Sequence, residues 1–347
     1  MADPATAEFP YARVLVTGGA GFIGSALVWA LNARGVERIV VADRLGTAGK
    51  WRNLAPLAFE DYLEADDLLP ALERDALGRF DSVLHMGACS TTTEPDASYL
   101  ARNNFEFTKR LAAWALGSGA RFVYASSAAT YGDGAAGMDD RDDAPAALQR
   151  LRPLNAYGYS KQLFDLWAAR AGVLERMVGC KFFNVFGPNE DHKGDMRSLV
   201  HKAYGQVRDT GRVRLFRSHR PDYRDGEQRR DFLYVKDAVG MTLALAANPA
   251  AAGLYNVGSG VASTWLELAD ALFAAMGREP QIEFVDMPPA IRDKYQYYTR
   301  ADISKLRAAG YTAPVTSLRD AVGDYVAGYL RQDRRLGDEA AVGTGTA

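Results

Sequence analysis

The chain has 347 residues, about two domains of ordinary size or one core domain with a large annex, which excludes a lone small module. Its 48% hydrophobic and 24% charged residues fit a globular protein with a substantial core and exclude a disordered linker. Forty-one basic against 43 acidic residues leave a net charge of −2, so charge gives no reason to expect nucleic acid or an anionic membrane as partner.

The opening stretch, MADPATAEFPYARVLVTGG, lacks a charged segment followed by a long apolar one. No later run reaches the roughly 18 apolar residues of a spanning helix, so a cytoplasmic protein without signal peptide is expected. Short β-branched runs then alternate with helix-length amphipathic stretches. ARVLVTG, RIVVAD, SVLHMGA and RFVYASS read as buried strands, with helices over 25–34 and 104–117 and another from about Tyr157. Strands alternating with helices imply parallel βαβ units and a doubly wound α/β sheet. CKFFNVFG reads as one further buried strand, and DFLYV and GLYNVGSG as strands returning to the first domain. Residues 188–230 are charged and loop-rich, either a solvated face or the substrate-recognition region; shorter helices follow from Ser259, and the end from 336 reads as a frayed tail. The expected division is a nucleotide domain over 11–184 with returns near 231–258, and a smaller interleaved C-terminal substrate domain over 185–230 and 259–332.

Thr17 to Gly24 spell GxxGxxG between the first strand and a helix. Gly18 permits the tight turn, Gly21 lets the backbone approach a pyrophosphate, and Gly24 lets helix and strand pack closely. Phe22 and Ile23 then present free N–H groups at the helix start, the arrangement of a Rossmann dinucleotide site. Asp43, at the end of the second strand, suits an adenosine ribose and by itself indicates NAD. Arg44 and Lys50 stand where a 2′-phosphate would sit and favour NADP, unless Arg44 is an ordinary exposed side chain.

Tyr157 and Lys161 are four residues apart, one helical turn, and share a face. Ser127 ends the RFVYASS strand, and strand C-termini line the ligand crevice of such sheets, though a strand-end cap is the plainer role. A phenol with a pKa near 10 needs lowering by roughly three units, about 4 kcal/mol, to act at neutral pH. Lys161 and an oxidised nicotinamide are expected to supply this, so that a proton leaves an alcohol as hydride leaves its carbon. Cys89 and Cys180 form no CxxC, and His85, His192, His201 and His219 show no ligand spacing, so no metal is expected. Cys89 either borders the cofactor or simply packs.

These residues, with Arg230-Asp231-Phe232, resemble the extended short-chain dehydrogenase/reductase family. The segments GACSTTTE at 87–94, YASSAATYG at 124–132, FFNVFGPNEDHKGDM at 182–196 and KYQYYTRADISKLRAAGY at 294–311 are similar to family members that act on an ADP-heptose. That resemblance implies inversion at C6″ of ADP-D-glycero-D-manno-heptose, through a transient ketone, with one tightly bound NADP per subunit, for the inner core of lipopolysaccharide. It makes Tyr157 one acid/base and Lys193 the other, with a phosphate-binding or surface lysine as the alternative for Lys193. It places Met86, Gly87, Ala88, Cys89, Ser90, Asn103, Lys161 and Val185 with the glycine loop, Asp43, Arg44 and Lys50 around the cofactor. Asn184, Asp195, Lys202, Phe216, Arg217, Ser218, His219, Arg230 and Tyr295 are placed around the ADP-sugar, Arg230 as diphosphate clamp or as ion-pair partner of an acid such as Asp231.

Four positions, Arg44, Ala65, Met86 and Asp195, depart from the family pattern, and Asp195 is expected to raise the pKa of Lys193. The family forms homo-oligomers, pentamers for this type. A UDP-hexose 4-epimerase shares Ser, Tyr and Lys and is the nearest alternative. A dehydratase is opposed by Ala128-Ala129, where that class carries an acid pair, and a non-catalytic NADP sensor is opposed by the intact Tyr157 and Lys161.

Overall fold

The computed structural model describes residues 9–292 and 295–339. Seven strands form one parallel sheet in the order β10-β6-β5-β4-β1-β2-β3: β1 (Arg13–Thr17), β2 (Arg38–Asp43), β3 (Asp61–Glu64), β4 (Ser82–His85), β5 (Arg121–Ser127), β6 (Met177–Phe182) and β10 (Gly253–Val257). Consecutive side chains of β1 enter different cores. Val14 and Val16 pack with the first helix, Phe22–Asn32, while Leu15 packs with Leu111, Ala112 and Ala115 of the helix Phe107–Ser118. Burial on both faces is why these strands are continuous apolar runs, and it makes the doubly wound α/β sheet a finding.

The remaining strands form two smaller sheets. β7 (Asn184–Phe186), β9 (Arg229–Tyr234) and β11 (Ala262–Thr264) pair in the order β11-β9-β7, and β8 (Val213–Phe216) pairs in parallel with β12 (Ile282–Val285). Two expectations change here. CKFFNVFG is two strands, because after β6 the chain leaves the large sheet at Phe183 and β7 pairs with β9. DFLYV accordingly lies in the three-stranded sheet, while GLYNV does return to the large one beside β6.

The first helix begins at Phe22, earlier than the apolar spacing suggests, because the glycine turn leads straight into it. The second begins later than predicted, at Phe107, behind a π-helical stretch at Ala101–Glu106. The expected fraying from 336 is also corrected. Leu336 is fully buried and its N–H donates to Asn189 Oδ1 at 3.0 Å; only 340–347 of the predicted tail lie outside the described residues. No helix among the described residues is long and apolar enough to cross a membrane.

Candidate active site

The C-terminal ends of β1, β2 and β4 open onto a cavity of about 480 Å³. Its wall includes Gly18, Gly21, Phe22, Ile23, Gly24, Asp43, Arg44, Lys50, Gly87, Ala88, Cys89, Ser90 and Asn103, together with Ala65, Met86 and Lys193. Gly18 has φ +67°, and a Cβ there would meet Gly87 N at 2.6 Å; a Cβ on Gly24 would meet Gly18 O at 2.0 Å. Both glycines are therefore required by close backbone approach. Gly21 caps the first helix with no side-chain hydrogen bond, so the helix start presents backbone N–H groups to the cavity.

Asp43 is already engaged. Its Oδ2 accepts Ala20 N–H at 2.9 Å, and its Oδ1 accepts Arg44 N–H at 2.7 Å and Lys50 Nζ at 2.5 Å. The Arg44 guanidinium is held by Asp66 at 2.5 Å and Asn103 Oδ1 at 2.9 Å. Lys50 thus offsets the charge of Asp43, and Arg44 is a fixed cation at the rim.

The helix Ala156–Arg170 carries Tyr157 and Lys161, and Asn155 caps it by accepting Gly158 N–H at 2.8 Å. Gly158 lies so close to the turn after β5 that a Cβ would meet Ala129 O at 2.7 Å, which brings Tyr157 to Ser127. Ser127 accepts Ala129 N–H at 3.1 Å, and its hydroxyl acts on the phenol to lower its pKa. In the chain by itself Lys161 is not among the groups that shift the phenol. Burial raises the pKa of Tyr157, the nearby Ser127 hydroxyl opposes it, and Cys89 adds to the rise. Lys161 instead donates to Ala125 O at 2.8 Å; burial pushes its own pKa down to about 8, against the pull of Asp165 and Cys89.

Lys193 sits on a 3₁₀ turn, Asp191–Met196, with Nζ 5.1 Å from the centre of the Phe22 ring. Burial lowers its pKa; Glu190 raises it and Lys202 lowers it. Asp195 does not have the predicted effect. It is exposed, and the carboxylate acting on Lys193 is Glu190, fully buried three residues earlier.

A second cluster surrounds Arg230, which is 5% exposed at the start of β9. Its guanidinium lies 4.8 Å from the Tyr295 ring and 5.9 Å from the Trp265 ring, and Trp265 Nε1 donates to Tyr295 OH at 2.8 Å. Phe216 meets Tyr295 edge-on at 6.4 Å. Among the described residues no carboxylate lies within ion-pair distance of Arg230. Asp231 is occupied by the N–H groups of Ser259, Gly260 and Ala301, so the ion-pair alternative fails. Burial lowers the pKa of Arg230, and Tyr295, Tyr223 and Tyr297 oppose this.

The model of the NAD dependent epimerase/dehydratase family matches residues 14–258. The chain belongs to that family. Within it, an ADP-L-glycero-D-manno-heptose-6-epimerase of Nitratidesulfovibrio vulgaris strain DP4 is 54% identical over 317 residues, 91% of this chain and 97% of the relative. The protein of that name from Fusobacterium nucleatum is 42% identical over 328 residues, 92% and 98% of the two chains. Among solved structures, the Helicobacter pylori ADP-L-glycero-D-manno-heptose-6-epimerase matches with a TM-score of 0.75 and 26% identity, over 94% of this chain and 97% of its own.

Membership in the epimerase/dehydratase family makes the cofactor a nicotinamide dinucleotide. The residues present fit one: a glycine cradle that a Cβ would fill, an uncapped helix start, and an acid flanked by two cations. Other predicted residues lie apart from the cavity wall. Asn184 and Val185 are on β7; Asn184 Oδ1 accepts Thr299 Oγ1 at 3.4 Å. Lys202 is exposed and donates to Asp195 O, while Arg217 faces Asp225 and Asp286 at 3.9 and 3.8 Å. Ser218 N–H donates to Asp225, and His219 N–H to Tyr297 OH. Sequence reasoning missed Trp265, Tyr223 and Tyr297 beside Arg230, and Asp66, which orients Arg44. Their signals are long-range contacts; aromatic residues spaced two apart at 295 and 297 were the one local hint.

Proposed function

We propose that this enzyme inverts C6″ of ADP-D-glycero-D-manno-heptose to give the L-glycero epimer. The observation that carries this reading is the 54% identity, over 91% of the chain, to a relative bearing that activity in its name. The geometry supports it. In this reading Ser127 hydrogen-bonds the reacting oxygen, and Tyr157, whose pKa the Ser127 hydroxyl lowers against burial, takes or returns the hydroxyl proton. Lys193, lowered by burial, is the second acid/base. Inversion needs two such groups, because the hydroxyl of each epimer points to a different side of the carbon. When bound, the cofactor supplies reversible hydride acceptance. Arg230 is the diphosphate clamp, with a planar fork that meets no competing carboxylate among the described residues and Tyr295 against its face.

The cofactor is NADP in this reading. Asp43 has its oxygens taken by Lys50 and backbone N–H groups, which weakens its claim on a ribose hydroxyl, while Arg44 stays cationic at the rim. The arginine at 44 then reads the 2′-phosphate. By the same resemblance the protein works in the cytoplasm as a homo-oligomer, a pentamer measurable by light scattering, and its product feeds lipopolysaccharide core.

The test is NMR of the purified protein with ADP-D-glycero-D-manno-heptose and no added nicotinamide. The L-glycero signal should grow to equilibrium, and Tyr157→Phe should lose turnover by several orders of magnitude while keeping its cofactor. A sample that holds NADP and leaves the heptose unchanged, yet equilibrates a UDP-hexose, would replace this reading with a 4-epimerase.

A further inference from the structure

Lys193 lies on a short 3₁₀ turn that includes Gly194 in a left-handed conformation, φ 53°. Such a turn has little rigidity of its own, so the direction of Lys193 comes from what tethers it. Two residues before the turn stands Asn189, fully buried, with φ +76°. Asparagine is among the few non-glycine residues that accept this conformation.

Three remote parts of the chain meet on this residue. Its Nδ2 donates to Ser25 Oγ at 3.0 Å, its Oδ1 accepts the N–H of Leu336 at 3.0 Å, and its carbonyl accepts Asn53 Nδ2 at 3.1 Å. Ser25 belongs to the helix that starts with Phe22, the ring beneath Lys193. Asn53 Nδ2 also reaches Ala20 O in the glycine turn at 3.0 Å and lies 3.4 Å from His192 Nδ1. On the other side, Arg335 pairs with Asp191 at 3.4 Å, and Asp191 with His201 Nε2 at 3.0 Å. Lys193 N–H donates to Glu190 O at 3.0 Å, closing the connection from Asn189 to the lysine.

Ser25, Asn53, Asn189 and Leu336 are all buried, and each polar atom named has its partner. A satisfied buried network of this kind specifies one arrangement of the segments it joins. We propose that Asn189 is a positioning residue for the reaction: it locks the Lys193 turn to the glycine loop and to the C-terminal segment, so that the chain end at 335–336 shares in directing Lys193. This inference rests on the proposed role of Lys193 as the second acid/base.

The experiment uses the purified holoenzyme and both ADP-heptose epimers, read in single turnover by the near-ultraviolet absorbance of reduced nicotinamide. In that step the C6″–H bond would break with hydride passing to the oxidised nicotinamide, and the hydroxyl proton would pass to the base serving that epimer. Asn189→Gly keeps the backbone conformation and removes the side-chain bonds; Asn189→Asp keeps the acceptor for Leu336 N–H. Asn189→Gly should slow reduction by one epimer about a hundredfold and leave the other near wild type. KM and the nicotinamide released on denaturation should stay unchanged, and Asn189→Asp should recover about tenfold. Arg335→Met, which removes the Asp191 pair together with the exposed contact to Asp333 and leaves the Asn189 bonds in place, should show a smaller loss with the same one-sided pattern, and it covers the case in which Asn189→Gly does not fold. Equal slowing with both epimers, in step with lost cofactor or a lower thermal midpoint, would show a merely structural role and overturn the proposal. Lys193→Met separates the two ideas. If it blocks one epimer and the asparagine and arginine variants do not, this inference falls alone; if it blocks neither, the role of Lys193 falls and takes this inference with it.

Discussion

At the glycine loop the groups that face the cavity belong largely to the backbone, set within a few residues of β1 and fixed by glycines that no other residue replaces. Around Arg230 the corresponding groups are side chains, brought from β8, β9, the helix after β11 and residues 295–297. The difference is one of how precision is obtained. A local turn is exact because its backbone has no room to move, whereas the Arg230 cluster is exact only if several segments pack together, and it is correspondingly free to change its ligand by changing one ring.

Four measurements would break or sharpen that contrast. The largest effect belongs to the backbone-built end. His85, under the glycine turn, bonds Thr17 Oγ1 at 2.6 Å and Thr108 Oγ1 at 2.8 Å, and burial with nearby Lys161 holds its pKa near 3. A depressed histidine stays neutral when folded and binds a proton when unfolded, so stability is lost as pH falls from about 6.5 toward 3. The loss reaches about 5 kcal/mol, and denaturant melts of wild type against His85→Gln should show a flatter acid limb in the variant. His192, held down to about 4 by burial, works in the same direction.

Next, Gly24→Ala forces a Cβ onto Gly18 O and should cost about 3 kcal/mol and the bound nicotinamide together, seen by melting and by release on denaturation. Retention of both would mean that the turn yields, which the contrast forbids. Arg230→Ala should raise KM about a hundredfold and leave cofactor content untouched; a fall in bound nicotinamide would show that the two ends are not separable. The smallest effect is Arg44→Ala, expected to weaken NADP about tenfold and NAD much less. Equal weakening, in a direct binding titration, would show that Arg44 does not read the phosphate.

The same contrast explains what the sequence made legible. GxxGxxG, Asp43, Tyr157 and Lys161 are local signals tied to strand ends, and the sheet that carries them is visible as apolar runs. β3 escaped notice because it is a half-exposed edge strand, with only Tyr62 and Leu63 partly covered. CKFFNVFG has no break in its apolarity at Phe183, since both of its halves are strands, and only pairing reveals that they serve different sheets. Trp265 reaches Arg230 through tertiary packing that spacing does not encode. The spacing of Tyr157 and Lys161 says nothing of burial, which in the chain by itself raises the pKa of Tyr157 more than the Ser127 hydroxyl lowers it. Leu336 sits in a stretch whose composition reads as a tail, yet its side chain is buried.

The passage from Met177 to Phe186 has a further bearing, on ancestry and engineering. Its first part is a strand of the nucleotide-binding sheet and its last part a strand of the sheet that contains Arg230, with Phe183 between them. A chimera joined anywhere inside it leaves one sheet with a foreign strand. Exchange of sugar-binding parts between such enzymes therefore has to carry this piece over whole, and new specificities are more easily reached by substitution around Arg230 than by swapping one half of the molecule for another.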